Sequence, residues 1–145
     1  LGLSNLTSLV EPNLFREKMQ GLSNVFFLGQ KTSNEIPSYL ERFDVNLVCY
    51  KAKEYKKQLS SPHKFMEYFG SGNVIISTYT DEYKDKMHLL EMADERENFL
   101  IKFNDVVSGL AYYNSPFKKQ VRKNFSNENS YDQQVNKIED YLWDR

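Results

Sequence analysis

A chain of 145 residues with a net charge of −1, 40% hydrophobic and 27% charged side chains has the composition of one folded domain long enough to bury a core. Near-neutrality argues against a general nucleic-acid binder, which would carry a strongly basic face. The single cysteine, Cys49, excludes an intrachain disulfide and a thiolate metal site, and no apolar stretch approaches the roughly 20 residues that span a bilayer.

The chain begins at Leu1 rather than Met, as expected of a piece of a longer protein. Leu14, Phe15 and Met19 give an apolar side to a first helix. Asn24-Val25-Phe26-Phe27-Leu28 then reads as a strand, followed by a helix marked by Ile36, Tyr39, Leu40 and Phe43. Val45 to Cys49 is a second strand, and Cys49 reads there as a small buried thiol. Phe65, Met66, Tyr68 and Phe69 mark the next helix, stopped by Gly72 before the strand Asn73 to Ser77. A weaker run, His88 to Met92, is the last strand candidate. Short apolar runs alternating with helices predict an α/β fold, a Rossmann-like parallel sheet with helices on both faces. Beyond it, Asp94 is placed to cap a helix over Glu95–Leu110, and Ser115-Pro116 to open another through about Lys123. The polar stretch Asn124 to Asn129 reads as a loop, and Val135, Ile138 and Leu142 mark a last helix over Tyr131–Leu142.

Open parallel sheets bind ligands beyond the carboxyl ends of their strands. The predicted exits are Gly29-Gln30-Lys31, Tyr50-Lys51, Thr78-Tyr79 and Ala93-Asp94. From Lys51 to Lys64 five lysines face one acid, Glu54, a local charge of +4. That loop leads into the helix start Ser60-Ser61-Pro62-His63-Lys64, and free amides at a helix N-terminus beside lysines suit a phosphate. A solvated basic loop with an ordinary cap is the alternative reading of the same residues. Elsewhere, His63 and His88 lie too far apart to spell a metal site, and neither a dinucleotide fingerprint, a P-loop nor a nucleophile elbow is present.

Taken in order, Asn24-Val25-Phe26-Phe27-Leu28-Gly29, Ile36-Pro37-Ser38-Tyr39-Leu40, Phe43-Asp44-Val45, Ser61-Pro62-His63-Lys64-Phe65-Met66-Glu67-Tyr68 and Ser71-Gly72-Asn73-Val74-Ile75-Ile76-Ser77 resemble the C-terminal, donor-binding domain of GT-B-fold glycosyltransferases. The likeness is to the retaining, family-4-like group, and the tail Asn129-Ser130-Tyr131-Asp132 with Val135 and Ile138 is similar to that family's closing helix. It implies one half of a GT-B fold, with the acceptor-binding N-terminal domain outside these residues and no turnover by this chain alone. Glu67 is expected to hold the ribose hydroxyls of a UDP- or GDP-sugar, and Ser61, His63 and Lys64 to lie near its diphosphate or sugar. Gly29, Gln30 and Lys31 are expected near the base, with Tyr50 at the neighbouring strand exit. Many relatives carry a further glutamate where this chain has Leu59. No metal or other cofactor is implied; the whole enzyme is expected in the cytoplasm, with peripheral association at the inner membrane face. A noncatalytic doubly wound binding or signalling module is the alternative.

Overall fold

A computed structural model describes residues 12–50, 62–94 and 96–143. They fall into two compact units, Leu1–Ile36 and Pro37–Arg145.

In the first unit α1 spans Pro12–Gln20. The following residues form turns, with Leu22 N–H bonded to Met19 O and Val25 N–H to Leu22 O. The predicted strand at Val25–Leu28 is not formed: these residues adopt no regular structure, and Phe26 is 79% exposed. An apolar run becomes a strand only where a neighbour pairs its amides and a layer covers its side chains. Phe26, Phe27 and Leu28 are all exposed; Arg16 sits over the Phe27 ring at 5.7 Å. Thr32 and Glu35 form a capping pair, in which the Thr32 amide and hydroxyl donate to Glu35 Oε2 at 2.9 and 2.7 Å. The short helix α2, Ile36–Leu40, begins at the last residue of this unit and otherwise belongs to the second.

The second unit is built on a three-stranded parallel sheet, in the order β1 (Val45–Val48), β2 (Val74–Thr78), β3 (Glu91–Ala93). Val45 pairs with Val74 and Ile76 with Glu91. The first crossover carries α3, Pro62–Ser71, and the second a 3-10 segment, Asp81–Lys86. After β3 come α4 (Arg96–Ser108), α5 (Leu110–Tyr113), α6 (Pro116–Glu128) and α7 (Tyr131–Trp143). The last strand therefore starts at Glu91, later than the run at His88 suggests, because residues 87–89 turn out of the 3-10 segment.

Strand alternation divides the core. Val48, Ile75 and Met92 face Phe65 and Phe69 of α3, with Tyr83, Leu89 and Leu90; Phe125 of α6 packs against them. Val74 and Ile76 face Val106, Phe99 and Phe103 of α4 on the other side. Helices thus cover both faces of a Rossmann-like α/β sheet. Over β1 the α4 side is thin: Leu47 is exposed, and so is Cys49, two residues further along the same face. The expectation of a buried thiol fails for that reason, although partial burial still raises the Cys49 pKa.

Two asparagines and an arginine tie the strand starts together. Asn114 Oδ1 accepts from Val74 N–H at 2.8 Å while its amide donates to Asp44 O at 2.7 Å. Asn73 donates to Leu40 O at 3.1 Å. Arg122, buried on α6, donates to Leu89 O, Gly72 O and Tyr113 O at 2.8, 3.0 and 2.9 Å. Residues 124–128, read as loop from their polarity, are helical instead. Phe125 packs edge-on to Phe69 at 5.3 Å and Ser126 donates to Met66 O at 3.0 Å, so contacts with α3 extend α6 past the point where local preference would end it.

Candidate functional site

The carboxyl ends of the strands are joined by side chains. Thr78, at the end of β2, accepts the Tyr50 amide at 3.0 Å and donates its hydroxyl toward Tyr50 O at 3.1 Å. One residue on, Tyr79 N–H bonds Ala93 O at 2.8 Å and carries the β2–β3 ladder past Thr78. Tyr50 is thereby fixed beside the sheet, where it meets the first turn of α3: Lys64 Nζ donates to Tyr50 Oη at 3.0 Å. The lysine is half-buried and its ammonium lies 5.4 Å from the Tyr50 ring centre.

Glu67 is exposed on α3, three residues beyond Lys64 and so its neighbour on the helix surface. Next to Glu67, Tyr68 is half-buried against the core, and its hydroxyl pKa is raised by burial first and then by nearby Glu67, Tyr50 and Cys49. His63, exposed at the start of α3, stacks on Tyr131 with ring centres 5.8 Å apart and Nδ1 3.4 Å from its hydroxyl. The start of α7 therefore stands at the start of α3.

Of the residues singled out from sequence, Tyr50, His63, Lys64 and Glu67 are gathered at one end of the sheet. Ser61 and the basic segment 51–57 lie outside the described residues. Gly29, Gln30 and Lys31 belong to the first unit. Gly29 has φ of +70°, a conformation glycine tolerates best, and Gln30 is exposed. Lys31 lies close enough to Glu35 to help lower its carboxyl pKa, after the larger effect of the Thr32 hydrogen bonds.

A concavity of about 560 Å³ opens between the β2 and β3 exits and α4. Tyr79 and Asp94 come from the exits, and Asn98, Ile101, Lys102 and Asp105 from one flank of the helix. Asn98 Nδ2 donates to Asp94 Oδ1 at 2.8 Å, and Lys102 Nζ pairs with Glu91 Oε2 at 3.0 Å. That bond raises the Lys102 pKa, with Glu91 and Asp105 charges adding to it against burial. The sequence carries the signal for this flank: Asn98, Lys102 and Asp105 are spaced at four and three residues, one position off the core stripe Phe99, Phe103, Val106.

Among the described residues no group of three or more His, Cys, Asp or Glu side chains is placed to hold a metal, and no helix is long and apolar enough to cross a membrane. No protein-family model, no curated protein and no solved structure matches the chain.

Proposed function

We propose that this chain is the sugar-nucleotide-binding half of a two-domain GT-B-type glycosyltransferase, acting on a UDP- or GDP-sugar. The observation that carries the reading is the meeting of Lys64, in the first turn of α3, with Tyr50 at the β1 exit, on the helix that carries Glu67 three residues further on. The order of motifs from Ser61 to Ser77 adds to it.

The chemistry follows from that arrangement. The first-turn amides of a helix have no intrahelical acceptor and lie at the positive end of its dipole. With the Lys64 ammonium beside them, they suit a diphosphate and the charge that builds on it as it leaves the sugar. Glu67, exposed and acceptor-only when ionised, suits paired ribose hydroxyls. On this reading the acceptor, a glycan or lipid-linked molecule, is held by the other domain, so this chain alone transfers nothing. The whole enzyme works in the cytoplasm, at the inner face of the membrane where its acceptor is lipid-linked.

Calorimetric titration of the purified chain with UDP, GDP and their sugars tests the proposal. Saturable binding of one nucleotide series, with glycosyl transfer by the isolated chain absent, is the expected result. Binding of neither series would leave the noncatalytic module as the better reading, and turnover by this chain alone would contradict the division of labour.

A further inference from the structure

The cleft against α4 lies on the sheet face opposite α3, and the nucleotide reading makes no use of it. We propose that it is a separate carbohydrate site, taking one neutral hexose unit of a glycan. Its volume, about 560 Å³, falls within the roughly 300–1,000 Å³ of small-molecule sites.

The wall charges select the ligand. Lys102 is held by Glu91 at 3.0 Å with Asp105 nearby, so its ammonium already has anionic neighbours. Asp94 and Asp105 would repel a phosphate or a carboxylate, and Lys102, already paired with Glu91, does not offset them. A ligand with many hydroxyls and no charge escapes that repulsion, and spermidine in the titration separates it from a cation. Its hydroxyls donate to carboxylate oxygens, and the Asn98 amide at 2.8 Å fixes the Asp94 carboxylate before the ligand arrives. The remaining wall is apolar: the Tyr79 ring, tethered by its hydroxyl to Asp81 at 3.2 Å, and exposed Ile101. An aromatic face beside acceptor-rich carboxylates matches a pyranose, whose ring offers C–H groups on one face and hydroxyls at its edge.

The test is a heteronuclear NMR titration of the ¹⁵N-labelled chain with the methyl glycosides of glucose, galactose, mannose and N-acetylglucosamine, each taken to tens of millimolar. Spermidine, inorganic phosphate and UDP are run alongside. The expected result is saturable shifts at the amides of Tyr79, Ala93, Asp94 and Asn98 with at least one glycoside, weakened about tenfold or more by Asp94→Ala. Tyr79→Ala should weaken binding as well; Asp94 is exposed, so its substitution decides the matter if Tyr79→Ala does not fold. No saturable shift with any glycoside, shifts unmoved by Asp94→Ala, or saturation of this cleft by phosphate or spermidine instead would overturn the proposal. UDP is expected to move the signals of Tyr50, Lys64 and Glu67, so failure of the nucleotide reading and failure of this one are seen separately.

Discussion

Arg122 shows how much one side chain holds at the amino ends of the strands. Its guanidinium satisfies carbonyls from the α3–β2 turn, the entry to β3 and the end of α5. Burial depresses its pKa to about 10, opposed by the charge of Glu91. Arg122→Leu leaves those carbonyls buried without a donor, and urea unfolding should show a loss on the order of 3 kcal/mol or more. Tyr83 is the opposite case. It packs against Phe65 at 4.6 Å, yet its hydroxyl is buried with no hydrogen-bond partner among the described residues. Tyr83→Phe should therefore be neutral or stabilise by about 1 kcal/mol. Burial, and secondarily Glu82, raises the Tyr83 pKa above its ordinary value of 10.0. A pKa raised on folding gives stability that is intact below the unfolded value and lost as pH climbs toward the folded one. The wild type should lose stability above about pH 10 faster than Tyr83→Phe does. Arg122, with its lowered pKa, works with opposite sign there, so the two proteins are compared at each pH.

At the scale of elements, Gly72 ends α3 as its sequence position suggests. Its φ is +78°, and a Cβ there would come within 3.1 Å of Lys119 O and 3.0 Å of Lys123 Cε on α6. Gly72→Ala should cost about 1–2 kcal/mol from the backbone conformation alone, with the helix contact adding to it, measured by thermal or urea unfolding. The strands at Val45 and Val74 were legible because each is a short apolar run covered on at least one side and bounded by turn residues. Val25–Leu28 has the same composition and forms no strand, since local pattern cannot report whether a neighbour is there to pair with it. The end of α6 was illegible for the converse reason: Asn124 and Asn127 read as loop, while Phe125 and Ser126 between them supply contacts to α3 that only the packed structure reveals. On α7, Val135, Ile138 and Leu142 stand at helical spacing, and all are exposed, as is Trp143 at 81%.

For the molecule as a whole, the principle that ligands sit at the carboxyl ends of parallel strands points in the sequence to Tyr50 and to the helix start at Lys64 that follows it, whereas Glu67 is marked there only by the family resemblance. The Thr78 clamp on Tyr50 was not readable, because a threonine at the end of a strand has no sequence mark that tells a bridge from a solvated hydroxyl. The α4 cleft was half readable: its strand-exit residues were named, but its helix flank emerges only when α4 is laid on the sheet. The central claim is that Glu67 and Lys64 face a nucleoside diphosphate, and Glu67→Ala tests it most directly. Calorimetric titration of wild type and Glu67→Ala with the UDP and GDP series should show binding weakened by about 1–3 kcal/mol, while the melting temperature of the unliganded chain changes little because Glu67 is exposed. Equal affinity of the two proteins for the nucleotide that wild type binds would contradict the ribose assignment, and no nucleotide binding by wild type would contradict the donor-domain reading itself.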